Sequence, residues 1–330
     1  MHRKTIQNSK ESIMPQPLVS ILIPLYNSEL YITKTIQSCL SQSYPHIEVI
    51  IVDDGSSDKS YSIAKQFESE QVKVFKQANK GACAARNLAF KHCKGDYIQY
   101  LDADDLLSPN KIEEQLRLIS NTENAVASCS WQYFNRLIGD ISTPGQTIDR
   151  DYDNTINWLI DSWNGKGMGL IHSWLVPRNI IENAGPWNET LKINQDGEFF
   201  CRVLLNASCI NYSNNSTVYY RTGLNESVSR TNSYEKLESQ LYSFNLYHQH
   251  LVTEYINLSA GMLNALHSVF SDFYIRTLTK YPDLANVAFN TIRSIGFNRV
   301  KPQGGKYFKL ACKLIGLKPT LKLRNRIKKV

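Results

Sequence analysis

A chain of 330 residues, 42% hydrophobic and 20% charged, can bury one large core, or a core with a smaller C-terminal element, and has the composition of an ordinary water-soluble protein. The net charge of +7 is local: residues 301–330 hold eight Lys and two Arg with no acid, and removing that +10 leaves residues 1–300 at −3. The basicity therefore says little about what the main domain binds, and with no recognition motif beside it, it does not point to nucleic acid.

The first residues, with Arg3, Lys4, Lys10 and Glu11 among polar neighbours, lack the apolar segment of a secretory signal and read as an N-terminal tail over 1–17. The longest apolar run, Leu18 to Leu25, is far shorter than the roughly 20 residues a spanning helix needs. Seven cysteines, odd in number and without CxxC pairs, suit a reducing compartment, so a cytoplasmic protein is expected. Leu18 to Ile23 is a β-rich run ended by Pro24, and Glu29 to Ser41 spaces Ile32, Ile36 and Leu40 as a helix does. Ile47 to Val52 repeats the strand pattern, and Asp53-Asp-Gly-Ser-Ser-Asp58 supplies turn and cap residues before a helix carrying Ile63, Ala64 and Phe67. Val72 to Phe75 predicts a third strand, Gly81 to Lys91 an alanine-rich helix, and Tyr97 to Leu101 a fourth strand running into Asp102-Ala-Asp-Asp105. Pro109 is placed as the first residue of a helix through Ile119. Four β-α units in succession predict an α/β fold with a doubly wound, mainly parallel sheet.

Ligands bind such sheets beyond the carboxyl ends of the strands, where both acidic clusters fall, at 53–54 and 102–105. Each like-charge pair in the second cluster costs roughly 3 kcal/mol at about 5 Å and an effective dielectric near 20. A bound cation removes that cost. Carboxylates without His or Cys favour Mg²⁺ or Mn²⁺, which take phosphate oxygens as further ligands, so a diphosphate-bearing substrate fits. A helix or turn cap at Asp104 or Asp105 explains the triplet as well, and on the cluster alone both readings stand.

Downstream, strand-like segments at Ala125–Phe134, Leu170–Val176, Cys209–Tyr212 and Thr217–Arg221, with a helix from Gly197 to Leu205, are expected to add antiparallel strands and the far wall of a cleft. Residues 234–295 read as helical. The domain division expected is 18–228 for the main domain and 229–330 for a helical C-terminal region. His172 lies in an apolar context and reads as a core histidine whose polar needs are met, and Trp163, Trp174 and Trp187 read as core.

The motifs also recur as an ordered set. Val19-Ser-Ile-Leu-Ile-Pro-Leu-Tyr-Asn27, Ile51-Val-Asp-Asp-Gly-Ser-Ser-Asp58, Asn79-Lys-Gly81, Ala85-Arg-Asn87, Gly95-Asp-Tyr-Ile98 and Asp102-Ala-Asp104 resemble, in that order, the family 2 glycosyltransferases of GT-A fold, over residues 18 to about 205. The resemblance implies an inverting, metal-dependent transfer from a nucleotide sugar, with a UDP-sugar expected, to a hydroxyl of a saccharide or glycolipid in cell-surface polysaccharide synthesis. It implies donor contacts at Pro24, Tyr26, Asn27, Asp54, Arg86, Asp102 and Ala103, with the Asp54 carboxylate accepting from uracil N3–H and Asp104 coordinating Mn²⁺ or Mg²⁺. Asn194-Gln-Asp-Gly-Glu198 is similar to the family's second acidic motif, which implies Asp196 as general base, with Glu198 as the other candidate. The family commonly has Glu where this chain has Gln195, and often a His in the stretch matching Tyr220 to Ser229, where Arg221 is the nearest substitute. A noncatalytic nucleotide-sugar-binding or scaffold protein is the competing reading. A dinucleotide oxidoreductase is disfavoured because no GxGxxG follows the first strand.

In the tail, Tyr307, Leu310, Leu314 and Leu317 fall on one helical stripe and Lys306, Lys309 and Lys313 on another, followed by Lys322, Arg324, Arg326, Lys328 and Lys329. This basic amphipathic pattern suits either an anionic membrane surface, which would place the protein at the inner face of the cell membrane, or a helix docked on the domain.

Overall fold

β1 (Val19–Leu25) is buried along its whole length, as a strand is when helices cover both faces of a parallel sheet. The computed structural model describes residues 16–223, 233–302, 304–317 and 319–321. After β1 come α1 (Ile32–Leu40), β2 (Ile47–Asp53), α2 (Ser60–Lys65), β3 (Val72–Lys76), α3 (Ala82–His92) and β4 (Tyr97–Tyr100). A two-residue β5 (Leu106–Leu107), α4 (Lys111–Ile119), β6 (Ala125–Phe134) and α5 (Thr155–Trp163) lead to a 3₁₀ turn at Ile171–Ser173. Next are β7 (Val176–Pro177), α6 (Arg178–Ala184), α7 (Gln195–Leu205) and the long β8 (Cys209–Arg221). The C-terminal region is helical, with α8 (Tyr234–Glu254), α9 (Ala260–Thr277), α10 (Pro282–Ser294) and α11 (Lys306–Ile315).

The main sheet runs β3-β2-β1-β4-β7, parallel except for the antiparallel edge strand β7. The carboxyl ends of β1, β2 and β4 therefore open on one edge. β1 continues through Pro24, two residues beyond the expected end. The Leu22 carbonyl accepts from Leu101 N and the Leu25 carbonyl from Asp54 N, so even-numbered residues of β1 present their backbone to β4 and odd-numbered ones to β2. Pro24 faces the side that β4 has left at Tyr100, where a missing N–H breaks no ladder bond.

The second sheet, β5-β8-β6, differs from the antiparallel arrangement expected. β5 is antiparallel to β8, but β6 and β8 are parallel. Three helices and the 3₁₀ turn lie between β6 and β8, and so long a crossover permits parallel pairing where a tight hairpin would not. The two segments expected at 209–212 and 217–221 are one strand, with a register shift at Cys129/Ser130 on its partner. Leu170–Val176 is not a continuous strand but holds the 3₁₀ turn and only the first residue of β7, and α4 starts at Lys111 rather than Pro109, whose carbonyl accepts from Ser43 N.

One face of the main sheet packs Ile21, Ile23, Val49 and Ile51 against α1 and α4. The other packs Leu22, Ile50 and Val52 into a cluster that runs through Trp187, Phe199 and Phe200 to Leu241, Phe244, Phe270 and Ile292. The C-terminal helices α8–α10 thus complete the core of the sheet domain. The boundary expected at 228, residues 1–15 of the N-terminal tail and the basic residues from 322 onward lie outside the described residues. Among the described residues no helix is long and apolar enough to cross a membrane.

Candidate active site

The loops after β1 and β2 are tied to each other before any ligand is considered. Asn27 adopts a left-handed conformation, φ 44°, its N donates to Ser56 Oγ at 3.1 Å, and its Oδ1 accepts from Ser57 N at 2.9 Å. Tyr26 is 49% exposed beside it, while Pro24 is buried in the strand. Asp54 is buried and accepts at Oδ1 from Gln77 Nε2 (2.7 Å) and Lys80 N (2.8 Å), and at Oδ2 from Gly81 N (2.8 Å). Three of roughly four acceptor positions on that carboxylate are occupied by the chain itself. Asp54 therefore builds the wall of the site by pinning residues 77–81, and one position remains for a donor group of a ligand. Gly55, at φ +75°, brings the loop so close that a Cβ there would stand 2.9 Å from Asn79 N. Asp53 is fully buried and accepts from Ser56 N at 3.3 Å, which is a supporting role.

After β4 the chain enters the acidic loop. Asp102 Oδ1 receives Arg86 Nη2 at 2.8 Å, and the Arg86 guanidinium lies over the Trp187 ring at 4.6 Å. Burial works against the charge on Arg86, but Asp102 and, farther off, Asp196 outweigh it. The Asp104 carboxyl is pushed up to about 6, first by burial and then by the charge of Asp102. Asp105 is held well above the usual carboxylate range by burial, with Asp104 and Asp102 adding to it. Arg221 clamps the loop from behind: its N donates to Asp105 Oδ1 (2.7 Å), its Nε to the Asp104 carbonyl (2.9 Å), and its Nη1 to the Asn135 carbonyl (2.7 Å). The Arg221 guanidinium sits between the rings of Tyr31 and Phe134, at 4.7 and 4.2 Å. It is a structural clamp and not a free cation standing in for the absent histidine. Ala103 is buried, and its carbonyl accepts from Thr35 Oγ1 at 2.9 Å.

His172 is buried as expected, but its polar needs are not met. Neither ring nitrogen has a hydrogen-bond partner, and Nδ1 stands 3.4 Å from Asp105 Oδ2, itself without one. Burial lowers the His172 pKa to about 4. The reason lies in the 3₁₀ turn, whose carbonyls are held by Gln99 at His172, Gln115 at Ser173 and Lys111 at Trp174, fixing the ring beneath the acidic loop.

The third element is the N-terminus of α7. Asp196 is exposed at the surface yet crowded by protein on most sides, and burial raises its carboxyl above the ordinary value while Gly197 N–H and Arg86 oppose the shift. Gln195 Oε1 faces Arg86 Nη1 at 3.5 Å. Arg86 thus joins Asp102 to Gln195, with the charge of Asp196 felt from the next residue along. Glu198, two residues on, points to the opposite side of the helix and is committed to Arg202 and His250, each at 2.8 Å. Burial alone would raise its carboxyl, but those two partners hold it below its ordinary value. An open recess of about 500 Å³ on that side is lined by Asn87, Trp187, Glu189, Glu198, Arg202 and His250, and by none of the acidic residues of the donor loops.

Among the described residues no group of three or more His, Cys, Asp or Glu is assembled around a metal position. The donor set present is Asp102 and Asp104, of which Asp104 is raised first by burial and then by the charge of Asp102. A hard cation that takes one or two protein carboxylates and completes its shell with phosphate oxygens and water fits that set. Sequence reasoning did not anticipate Gln77, Trp187 and Asn194, because their contributions depend on contacts made across the fold. Only the Asn79-Lys-Gly81 turn signal hinted at the donors that hold Asp54.

Residues 20–174 match the family model Glycosyl transferase family 2. An uncharacterized glycosyltransferase of Rickettsia typhi is 32% identical over 195 residues, which cover 57% of this chain and 59% of that protein. The chain thus spans less than two thirds of that relative's length, as it does for relatives from Rickettsia felis (31%) and Haemophilus influenzae (44%). Of the solved structures, S. aureus TarS 1-349 in complex with UDP-GlcNAc is similar at a TM-score of 0.61 and 18% identity, covering 84% of this chain and 90% of that one. The mannosyltransferase PcManGT from Pyrobaculum calidifontis, in complex with GDP-Man and Mn²⁺, gives 0.54 and 13%, covering 96% and 88%. These likenesses show the fold, a GT-A-type mainly parallel sheet flanked by helices with a helical C-terminal region.

Proposed function

We propose, on the premise that residues 20–174 form a glycosyl transferase family 2 domain, that the protein transfers a sugar from a nucleotide sugar to an acceptor hydroxyl with inversion. The observation that carries this reading is the link from Asp102 through Arg86 to Gln195, the residue before Asp196, which joins three distant stretches of sequence at the carboxyl edge of the sheet. Asp54 with Tyr26, Asn27 and Pro24 forms the nucleotide end, and Asp102, Ala103 and Arg86 the ribose and diphosphate end. Asp104, aided by Asp102, would hold Mn²⁺ or Mg²⁺, which supplies charge neutralisation for the diphosphate as it leaves. Asp196 takes the proton from the acceptor hydroxyl as the oxygen bonds to the sugar's anomeric carbon, and the bond from that carbon to the diphosphate breaks on the opposite face. Its raised carboxyl suits a base, since proton transfer is most effective when the catalytic pKa approaches the working pH.

A UDP-sugar is the donor we assign, supported by the UDP-GlcNAc complex of the TarS neighbour. Thermal unfolding with UDP-, GDP- and dTDP-sugars, with and without Mn²⁺, tests it. A rise in midpoint confined to one UDP-sugar plus Mn²⁺ is expected, and no rise with any nucleotide sugar overturns it. Slow Mn²⁺-dependent hydrolysis of that donor separates an enzyme from a noncatalytic binding protein. The acceptor is a saccharide or glycolipid. A glycolipid acceptor fits the exposed apolar stripe of α11 and the basic tail behind it, which we place on the anionic inner face of the cell membrane. Sedimentation with anionic vesicles reads that contact directly. The seven free cysteines fit that compartment.

A further inference from the structure

Residues Leu191–Asp196 bridge to α7 and carry the proposed base, yet few of their bonds are local. Lys192 Nζ pairs with Glu235 at 2.7 Å, and Lys192 N donates to Ser239 Oγ at 2.8 Å. Asn194 Nδ2 donates to Ser243 Oγ at 2.8 Å and to the Tyr247 hydroxyl at 2.7 Å. Glu235, Ser239, Ser243 and Tyr247 are spaced i, i+4, i+8 and i+12, so they form one stripe along α8. Three residues farther on, His250 reaches Glu198 at 2.8 Å. The Tyr247 ring is fixed in turn by stacking on Trp163, centroids 4.8 Å apart and planes within 10°.

The contact is closely fitted at its centre. Asn194 is held in a left-handed conformation, φ 59°, immediately before α7. A Cβ on Gly197 would stand 2.6 Å from Asn194 Oδ1 and would collide with the Tyr247 hydroxyl. Any side chain there would have to displace Tyr247 or Asn194. The Gly197 N–H lies beside the Asp196 carboxyl and draws its pKa down against burial. Displacing Tyr247 or Asn194 therefore frees the turn that leads directly into Gln195 and Asp196.

We propose that α8 is the template for the catalytic loop, with Asn194, Ser243 and Tyr247 as positioning residues that set where the Asp196 carboxylate stands relative to Arg86. The proposal rests on Asp196 being the base. It assigns a function to a part of the chain that lies wholly beyond the family match at 20–174. The C-terminal helices then serve the reaction as well as the core.

Two measurements on full-length Tyr247→Phe and Ser243→Ala test it. Amide hydrogen exchange without substrate is expected to speed up at least about tenfold over residues 191–198, with the sheet strands unchanged; protection equal to wild type overturns the proposal. In transfer assays kcat is expected to fall at least about tenfold, against the roughly hundredfold a misplacement of 1 Å can cost. KM for the donor and the thermal midpoint are expected to stay close to wild type. Unchanged kcat, or a parallel loss of stability, donor binding and kcat, assigns α8 a packing role only and overturns the proposal. If the wild-type chain transfers no sugar, the family reading fails, and the exchange result still decides whether α8 holds the loop.

Discussion

Lys111 is fully buried, with its ammonium group directed at Gln99 and the Trp174 carbonyl. Burial lowers its pKa to about 7 from an ordinary 10.5. Between those values the unfolded chain binds a proton that the folded chain does not, so this residue's contribution to stability grows as pH rises and is lost as pH falls toward 7. Wild type is expected to gain on Lys111→Met by about 1 kcal/mol per pH unit over part of that range, with about 1.4 as the ceiling for one group. Denaturant unfolding at about pH 7.5 and about pH 9.5 measures the difference, and parallel stabilities at the two pH values would remove the assignment. Such residues show what sequence does and does not display. The position of Asp54, Asp102 and Asp104 at the carboxyl edge of the sheet was legible because each follows an apolar strand. The approach of Asp105 to His172, 67 positions apart, was not, because no local spacing encodes a contact made through a buried turn.

At the scale of elements, the four β-α units were readable from periodicity and turn residues, and their boundaries shifted by up to three residues, the most at the start of α1. The parallel pairing of β6 with β8 was hidden because strand-like runs carry no sign of their direction. The tail helix was readable only as an alternative between two surfaces, and the structure bears on the docked one. On α11 Tyr307 is 86% and Leu314 74% exposed, with Leu310 and Ile315 also open, so its apolar stripe is not docked on the domain. Leu317 does not extend the stripe, since Gly316, at φ +86°, ends the helix. Each basic residue near an anionic surface contributes about 1 kcal/mol, so the chain is expected to sediment with vesicles containing phosphatidylglycerol but not with pure phosphatidylcholine. Leu310→Asp with Leu314→Asp is expected to abolish that binding. Equal sedimentation with both lipids, or binding that survives the double substitution, would argue for another occupant of the stripe.

The molecule as a whole joins a sheet domain that presents acidic loops along one edge to C-terminal helices that share its core and brace α7. On the function proposed above, these parts converge on one reaction, with Asp104 serving the donor and Asp196 the acceptor. Single-turnover transfer and Mn²⁺-dependent donor binding, measured side by side on Asp104→Asn and Asp196→Asn, test it most directly. Asp104→Asn should lose both. Asp196→Asn should bind donor as wild type does while transfer falls by roughly 10²- to 10⁴-fold, the usual contribution of a general base. Transfer by Asp196→Asn at the wild-type rate, or undiminished Mn²⁺-dependent donor binding by Asp104→Asn, would contradict it.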